Sequence, residues 1–149
     1  MTTALYREAT IQDVSSLAKI RGDHIMEVKI WYNRILGYLE GTHNPQKALE
    51  PRIIYIASVN ETIIGFVAGH LTHRYNCECE LQWINVIEEF RRTGIASELL
   101  KWLANWFVEK KSYKICVDPG NGIARQFYLK NGAKPLNDHW MFWEDIRNI

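Results

Sequence analysis

Apolar residues recur at helical spacing along residues 94–109, and polar residues lie largely on the opposite face of this segment. An α-helix has 3.6 residues per turn, so this spacing gathers the apolar side chains into one stripe that can face a core. The stripe consists of Ile95, Ala96, Leu99, Leu100, Leu103, Trp106 and Phe107. The pattern predicts an amphipathic helix over residues 94–109.

Three further segments carry helical patterns of differing regularity. Thr10 and Asp13 are spaced as an N-cap and an acidic N3 residue, so they predict a helix that starts there and ends near Gly22. Residues 24–39 have a less regular apolar pattern and lead into a polar loop. Residues 123–130 are followed by an Asn-Gly pair, which suits the C-terminus of a helix.

Short apolar runs predict the strands, at residues 5–8, 53–57, 63–71, 77–87, 114–117 and 139–143. A short turn-like segment separates the second and third runs, which favours an antiparallel hairpin. The element order β-α-α-β-β-β-α-β-α-β combines an antiparallel meander with crossovers, and so predicts an α/β sheet flanked by helices. The length of 149 residues is typical of a single domain, residues 1–149.

Composition and charge exclude several classes of partner. Hydrophobic residues make up 47% of the chain and charged residues 23%, which is typical of a globular protein. The net charge is +1 without a cluster of basic residues, so we expect no nucleic-acid partner. The N-terminal sequence lacks a basic segment followed by an apolar run, and no stretch reaches membrane-spanning length. We therefore expect a cytoplasmic protein without a membrane partner.

The cysteines and histidines do not suggest a disulfide framework or a metal site. Cys77, Cys79 and Cys116 are an odd number without metal-ligand spacing, so we expect reduced thiols that pack in strands. His70 and His73 lie three residues apart on a predicted strand, where their side chains point to opposite faces. We expect no bound metal.

The start of the helix at residues 94–109 has the features of an anion site. A helix N-terminus presents unpaired N–H groups and the positive end of the helix dipole. Gly94 and Ala96 add little bulk there, and Arg91 and Arg92 add positive charge. The segment matches neither a P-loop nor a dinucleotide-binding glycine motif. Taken alone, an ordinary glycine-containing loop before an amphipathic helix explains it equally well.

Two motifs carry a resemblance to a known family. Arg91, Gly94 and Ala96 follow a predicted strand and resemble the R/Q-x-x-G-x-G/A motif of the GNAT superfamily of acyl-CoA-dependent N-acetyltransferases. A second segment is similar to the family's V-x-x-x-N-x-x-A-x-x-[FL]-Y motif, through Val117, Asn121, Ala124, Phe127 and Tyr128, and ends in Asn131, Gly132 and Ala133. The resemblance covers residues 53–133 well and the first helix moderately, while residues 22–50 match only in position. The chain departs from the family at Ala96, Ala133 and Glu88, which replace a glycine, an aromatic residue and a proline.

The resemblance implies both a fold and a cosubstrate. The fold is a mixed, mostly antiparallel sheet, flanked by helices, whose fourth and fifth strands splay apart. Acetyl-CoA is the implied cosubstrate, with no metal, and its pantetheine arm would lie in the gap between those strands. The implied binding residues are Asn85, Val86, Ile87, Arg91, Arg92, Thr93, Gly94, Ile95, Ala96, Ser97, Asn121 and Tyr128.

The implied reaction is direct attack of a primary amine on acetyl-CoA in a ternary complex. Glu80 matches the position of the general base in some members, and Glu78 is a second candidate because a strand's period of two gives it the same face. Solvated charges at a strand end explain both glutamates equally well. Tyr128 is the implied acid for the leaving thiolate, with a packing aromatic beside Phe127 as the alternative. The backbone N–H near Val86 is the implied oxyanion donor.

The acceptor stays open between a small-molecule amine and a peptide or protein amine. We expect residues 23–52, 72–79 and 138–140 to bind it. The aromatic residues of these segments, Trp31, Tyr32, Tyr38, Tyr75 and Trp140, would wall an amine pocket or else pack in the core or in a homodimer. The alternative function is a non-catalytic acyl-CoA-binding regulatory domain, because a fold does not guarantee activity.

Overall fold

One seven-stranded sheet forms the centre of the fold in the computed structural model, which describes residues 3–45 and 48–149. Its strand order is β1-β2-β3-β4-β5-β7-β6, and every neighbouring pair is antiparallel except β4 and β5. The strands are β1 Leu5–Glu8, β2 Leu49–Val59, β3 Thr62–Leu71, β4 Cys79–Val86, β5 Ile115–Val117, β6 Lys134–Pro135 and β7 Met141–Trp143. The predicted mixed, mostly antiparallel sheet flanked by helices is confirmed.

Within these described residues four α-helices cover the sheet: α1 Val14–Arg21, α2 Ile25–Glu40, α3 Ile95–Glu109 and α4 Gly122–Lys130. Their apolar residues contribute to two separate cores. Leu99, Leu103 and Phe107 of α3 belong to one core, while Leu17 of α1 and Ile35 of α2 belong to the other. The sheet therefore lies between two helical layers, and β4 supplies buried residues to both.

The predicted hairpin joins β2 to β3 through a two-residue turn. Asn60 and Glu61 have φ values of 49° and 66°, the left-handed torsions that a tight hairpin turn of type I′ needs. On β3, Gly69 permits close packing of α3, because a Cβ at that position would lie 2.7 Å from both Leu103 Cδ1 and Phe107 Cζ.

A bulge and a partial pairing shape β4. Its register against β3 pairs Trp83 with Ala68 and Leu81 with Gly69, so Gln82 is an extra residue. On its other edge, β4 pairs with β5 only from Cys79 to Leu81, opposite Ile115 to Val117. Beyond Leu81 the two strands are no longer paired. This opening is the splay expected between the fourth and fifth strands, and it is called the β4–β5 gap below.

The largest differences from the sequence-based strands are a longer β2, later starts of β4 and β7, and one added strand. Cys77 lies before β4 and not within a strand, because a short 3₁₀ turn over Arg74–Asn76 occupies the preceding residues. The final strand begins at Met141 instead of residue 139, since His139 and Trp140 donate backbone N–H bonds to the Asn137 side chain. The two-residue strand β6 was not predicted, because Lys134 and Pro135 carry no apolar alternation.

Candidate active site

The N-terminus of α3 has the open backbone that the sequence predicted. Gly94 adopts a left-handed φ of 86°, and no heavy atom lies within 4 Å of the position a Cβ would take. The first helical bond runs from the Glu98 N–H to the Gly94 carbonyl at 3.0 Å, so the N–H groups of residues 95–97 precede the helical ladder. Arg92 is also left-handed, with φ of 64°, and Thr93 Oγ1 donates to the Phe90 carbonyl. The turn therefore precedes three amides that are outside the helical ladder, and it is open at Gly94.

The two arginines beside this turn are placed differently. Arg91 Nε donates to the Val86 carbonyl at 3.0 Å, which ties the turn to the end of β4. Arg92 is exposed. Arg91 is exposed as well, but its bond fixes the loop on the strand.

The backbone of Val86 faces the β4–β5 gap. Ile87 donates its N–H to the Ile64 carbonyl on β3, at 2.9 Å. Neighbouring residues of a strand direct their backbone groups to opposite edges, so the N–H and C=O of Val86 point away from β3. On this side of the gap the Val86 N–H therefore points into the opening, while the Val86 carbonyl accepts the bond from Arg91.

Asn121 and Tyr128 lie at the start and in the last turn of α4, the helix that follows β5. Asn121 is the N-cap, and its Oδ1 accepts the Ala124 N–H at 2.8 Å, which leaves its side-chain NH₂ as the group that can donate to a ligand. Tyr128 is only 3% exposed and packs edge-on against Trp143, with ring centroids 5.8 Å apart. Burial raises the pKa of the Tyr128 phenol, against a lowering effect of the Arg21 charge, so the hydroxyl stays protonated.

Glu80 is a buried carboxylate with few partners. It is 1% exposed, and its Oε1 lies 3.6 Å from His70 Nε2, 4.0 Å from Arg74 Nε and 4.0 Å from Cys116 Sγ. Burial raises the pKa of Glu80 above its ordinary value, and the nearby His70 and Arg74 only partly oppose that effect. Glu80 pairs with Cys116 in the short β4–β5 ladder, whose last pair is Leu81 with Val117, and the gap opens beyond that pair.

His70 and Tyr38 extend this buried polar cluster, and the sequence did not reveal them. The Tyr38 hydroxyl and His70 Nδ1 are 2.8 Å apart, and both side chains are fully buried. His70 lies directly opposite Glu80 in the β3–β4 register. Within the described residues, His70 Nε2 and Glu80 Oε2 are buried without a hydrogen-bond partner. Such a pair of orphaned polar atoms is where an ordered water bridges protein groups.

Glu78 does not join this cluster. It is exposed, and its Oε1 accepts the N–H groups of Tyr113 and Lys114 at 2.9 Å and 3.2 Å. The Glu78 carboxylate therefore stabilises the backbone immediately before β5. The structure separates the two glutamates that period-two spacing placed together.

Asn85 is engaged from the first helical layer. Its Oδ1 accepts a hydrogen bond from Arg21 Nη1 at 2.7 Å, and the Arg21 guanidinium lies 4.2 Å from the centre of the Trp31 ring. Trp31 also packs edge-on against Trp83 of β4, with centroids 5.5 Å apart. Nothing in the local sequence around Arg21 indicated this contact, because its partners lie on α2 and β4.

The aromatic residues predicted at the acceptor side do not form one wall. Tyr38 is a buried member of the Glu80 cluster, and Trp31 packs against Trp83 and Arg21. Tyr75 and Trp140 form a separate pair whose ring centroids are 5.3 Å apart, whereas Tyr32 is exposed. The segment predicted over residues 23–52 includes positions 46 and 47, which lie outside the described residues.

A cavity of about 790 Å³ lies between α1 and the turn before α3. Lys19, Asp13, Ile87 and Arg91 are among its lining residues, but neither Glu80 nor Tyr128 is. It is open and lined by charges of both signs, so the polar cluster at the β4–β5 gap is the better candidate for chemistry.

Sequence and structure comparisons define the class of this protein. The family model of the Acetyltransferase (GNAT) family matches residues 21–133. The chain therefore belongs to the GNAT acetyltransferase family, as its two motifs predicted. No curated protein sequence matches it. In the described part of the chain, no helix is long and apolar enough to cross a membrane.

Solved structures show the same fold at low sequence identity. The PaiA N-acetyltransferase from Thermoplasma acidophilum, in complex with coenzyme A, is 16% identical, with a TM-score of 0.71 over 96% of this chain and 99% of that chain. Ard1 from Thermoplasma volcanium is 18% identical, with a TM-score of 0.70 over 94% and 96%. The aminoglycoside N-acetyltransferase AAC(6')-Iy, in complex with CoA, is 19% identical, with a TM-score of 0.71 over 92% and 91%.

Proposed function

We propose that this protein transfers an acetyl group from acetyl-CoA to the primary amine of an acceptor, by direct attack in a ternary complex. The observation that carries the proposal is the β4–β5 gap. Open helix amides lie at one end of it, and a buried carboxylate with a raised pKa lies at the other. Family membership and neighbours that hold coenzyme A support the same reading.

The turn before α3 fits the pyrophosphate of acetyl-CoA. Unpaired amides at a helix N-terminus bind phosphate oxygens, and the open space at Gly94 lets those oxygens come close. Thr93, Ile95, Ala96 and Ser97 would contribute backbone N–H groups, and Arg92 would add charge at the rim. When bound, the thioester supplies an activated acetyl group.

The edge of β4 fits the pantetheine arm. The arm would lie along Asn85, Val86 and Ile87 in the position of an added strand, because β4 has no partner strand on this side beyond Leu81. From the opposite side, the free NH₂ of Asn121 would donate to the same arm.

Three groups of the chain would act on the reacting atoms. Glu80 would take the proton of the attacking amine, and because it is almost fully buried, a water between Glu80 and His70 would relay that proton. The Val86 N–H, directed into the gap, would donate to the developing oxyanion. Tyr128 would donate a hydrogen bond to the departing sulfur. Its raised pKa lies above that of an ordinary thiol, so stabilisation by hydrogen bonding is favoured over full proton transfer.

A direct assay tests this function. Purified protein is incubated with acetyl-CoA and a panel of primary amines, and release of free CoA thiol is measured together with acetylated product by mass spectrometry. We expect acceptor-dependent thiol release. Tight CoA binding without turnover on any amine would instead support a non-catalytic acyl-CoA-binding regulatory domain. The expectation of a cytoplasmic location rests on the sequence and stays a prediction.

A further inference from the structure

Arg21, the last residue of α1, is a partly buried cation with few protein groups that offset the loss of hydration of its charge. Its single hydrogen bond within the described residues is the one that Nη1 donates to Asn85 Oδ1 at 2.7 Å. Its Nε is buried without a partner. A guanidinium has five N–H donors in a planar fork, so most of the donors of Arg21 have no protein partner within the described residues.

The surroundings of Arg21 are aromatic and positively charged. Its guanidinium carbon lies 4.2 Å from the Trp31 ring centre and 5.9 Å from that of Trp83, while the Arg34 guanidinium lies 5.1 Å from the same Trp31 ring. In the part of the chain that the structure describes, neither arginine forms an ion pair with a carboxylate. Burial lowers the pKa of Arg21 to about 10, the direction expected for a cation without a counter-charge.

The location of Arg21 connects it to the reaction. It is bonded to Asn85 on the strand edge that lines the gap, and its charge acts on the pKa of Tyr128. The phosphates of acetyl-CoA already have the amides of the turn before α3. Arg21 is thus a partly buried cation beside the transfer point, and acetyl-CoA in its proposed position would not bring an anion to it.

We propose that Arg21 anchors a carboxylate of the acceptor, so that the acceptor is a small amine that also carries a carboxylate, such as an amino acid. This inference rests on the proposed acetyl transfer. The fork of Arg21 would bind the carboxylate through two parallel hydrogen bonds, and the charge of Arg34 would add to the attraction. Cation–π contacts with the rings of Trp31 and Trp83 would hold the Arg21 guanidinium in position.

A binding experiment tests the anchor without relying on turnover. The Nε–H resonance of Arg21 is assigned by its absence in Arg21→Lys and followed by NMR in the CoA-loaded protein. The probes are the standard amino acids and their carboxamides, with CoA addition alone as a separate arm. We expect a saturable shift with at least one amino acid and none with its carboxamide. Equal shifts with both members of every pair, a full shift from CoA alone, or no shift with any amino acid would each overturn the anchor.

Kinetics provide the second measurement. For an accepted carboxylate amine, Arg21→Gln should raise KM roughly 10- to 100-fold, with a much smaller effect on the matched carboxamide. Lys101→Gln, which removes an exposed charge from α3, outside the segments expected to bind the acceptor, should leave both values unchanged. Equal turnover of carboxylates and their carboxamides would overturn the proposal that Arg21 binds the acceptor carboxylate, while the proposed acetyl transfer would stand. A carboxylate-dependent NMR shift without turnover of any amine would support Arg21 as a carboxylate-binding site and would overturn the proposed acetyl transfer.

Discussion

Glu80 combines three properties that a general base needs at the residue scale. It is shielded from bulk water, its proton affinity is raised by burial, and it lies one residue before the last pair of the β4–β5 ladder. A base is most effective when its pKa approaches the working pH, so burial favours the role. The fully buried His70 and Tyr38 give the carboxylate a fixed environment.

The first prediction concerns the pH dependence of turnover. Because burial raises the pKa of Glu80, the rate should rise with pH along a limb centred above the ordinary glutamate value of 4.5. Glu80→Gln should remove that limb and lower kcat by roughly 10²- to 10⁴-fold. Glu78→Gln is the control, since that carboxylate binds two backbone amides at β5 and should leave the limb in place. An unchanged limb in Glu80→Gln would assign the base elsewhere.

The second prediction separates the Tyr128 hydroxyl from the Tyr128 ring. Tyr128→Phe keeps the edge-on contact with Trp143 and deletes the hydrogen-bond donor, so fold and CoA affinity should persist. Loss of one such donor should lower kcat by roughly 10- to 100-fold, measured by single-turnover kinetics. Tyr113→Phe is the control, because that ring lies beneath Arg147, 4.1 Å from its guanidinium carbon. Wild-type turnover in Tyr128→Phe would leave Tyr128 with a packing role only.

Individual residues were predictable from the sequence where a motif contained them. Gly94 and Asn121 lie at the two helix N-termini that the motifs implied. The partners Tyr38 and His70 are 32 residues apart, and the contact of Arg21 with Asn85 spans 64 residues. Neither interaction has a local sequence pattern, because each depends on α1 or α2 packing against the sheet.

At the scale of elements, long periodic segments were predictable and short ones were not. The stripe from Ile95 to Phe107 specifies α3 because its spacing repeats over several turns. The strand β6 has two residues and no such repeat, and the β4 bulge at Gln82 depends on pairing with β3. Because the bulge shifts the alternation of β4 by one residue, period-two arguments across Gln82 fail.

The third prediction tests the N-terminus of α3 as an anion site. Gly94→Glu adds a negative charge at the open amides and a side chain at a left-handed φ, so calorimetry should show CoA affinity reduced by at least about 100-fold. Gly94→Ala adds a methyl group and the torsional strain without charge, and should weaken binding less. Asn105→Glu, exposed in the same helix, controls for net charge. Wild-type affinity in Gly94→Glu would place the CoA phosphates at another site.

At the scale of the whole molecule, the site depends on both helical layers. Trp83 of β4 packs against Tyr38 of α2, which also bonds to the His70 that faces Glu80, while Leu81 belongs to the core under α3. The carboxylate is therefore buried only when α2, β3, β4 and β5 are assembled. Its ionisation should consequently be linked to unfolding of the entire domain.

The fourth prediction follows from the sign of that linkage. The folded-state pKa of Glu80 is raised, so the native protein binds more protons than the unfolded chain between the ordinary value of 4.5 and the raised value. The Glu80 contribution to stability is therefore fully present below pH 4.5 and is lost as pH rises through the folded pKa. The glutamine side chain of Glu80→Gln cannot ionise. The free energy of unfolding of this variant minus that of wild type should therefore increase as pH rises across this window and then level off.

Urea denaturation from pH 4 to pH 8 measures this difference, with Glu40→Gln, an exposed carboxylate at the end of α2, as the control. The groups that face Glu80 are the same in wild type and Glu80→Gln, namely Tyr38, His70, Arg74, Cys116 and Asp118. A difference that instead falls with rising pH would show that His70 and Arg74 stabilise the carboxylate more than burial destabilises it. Glu80 would then be held ionised by its neighbours at low pH, and the rate limb expected for Glu80 would move to lower pH together with the stability curve.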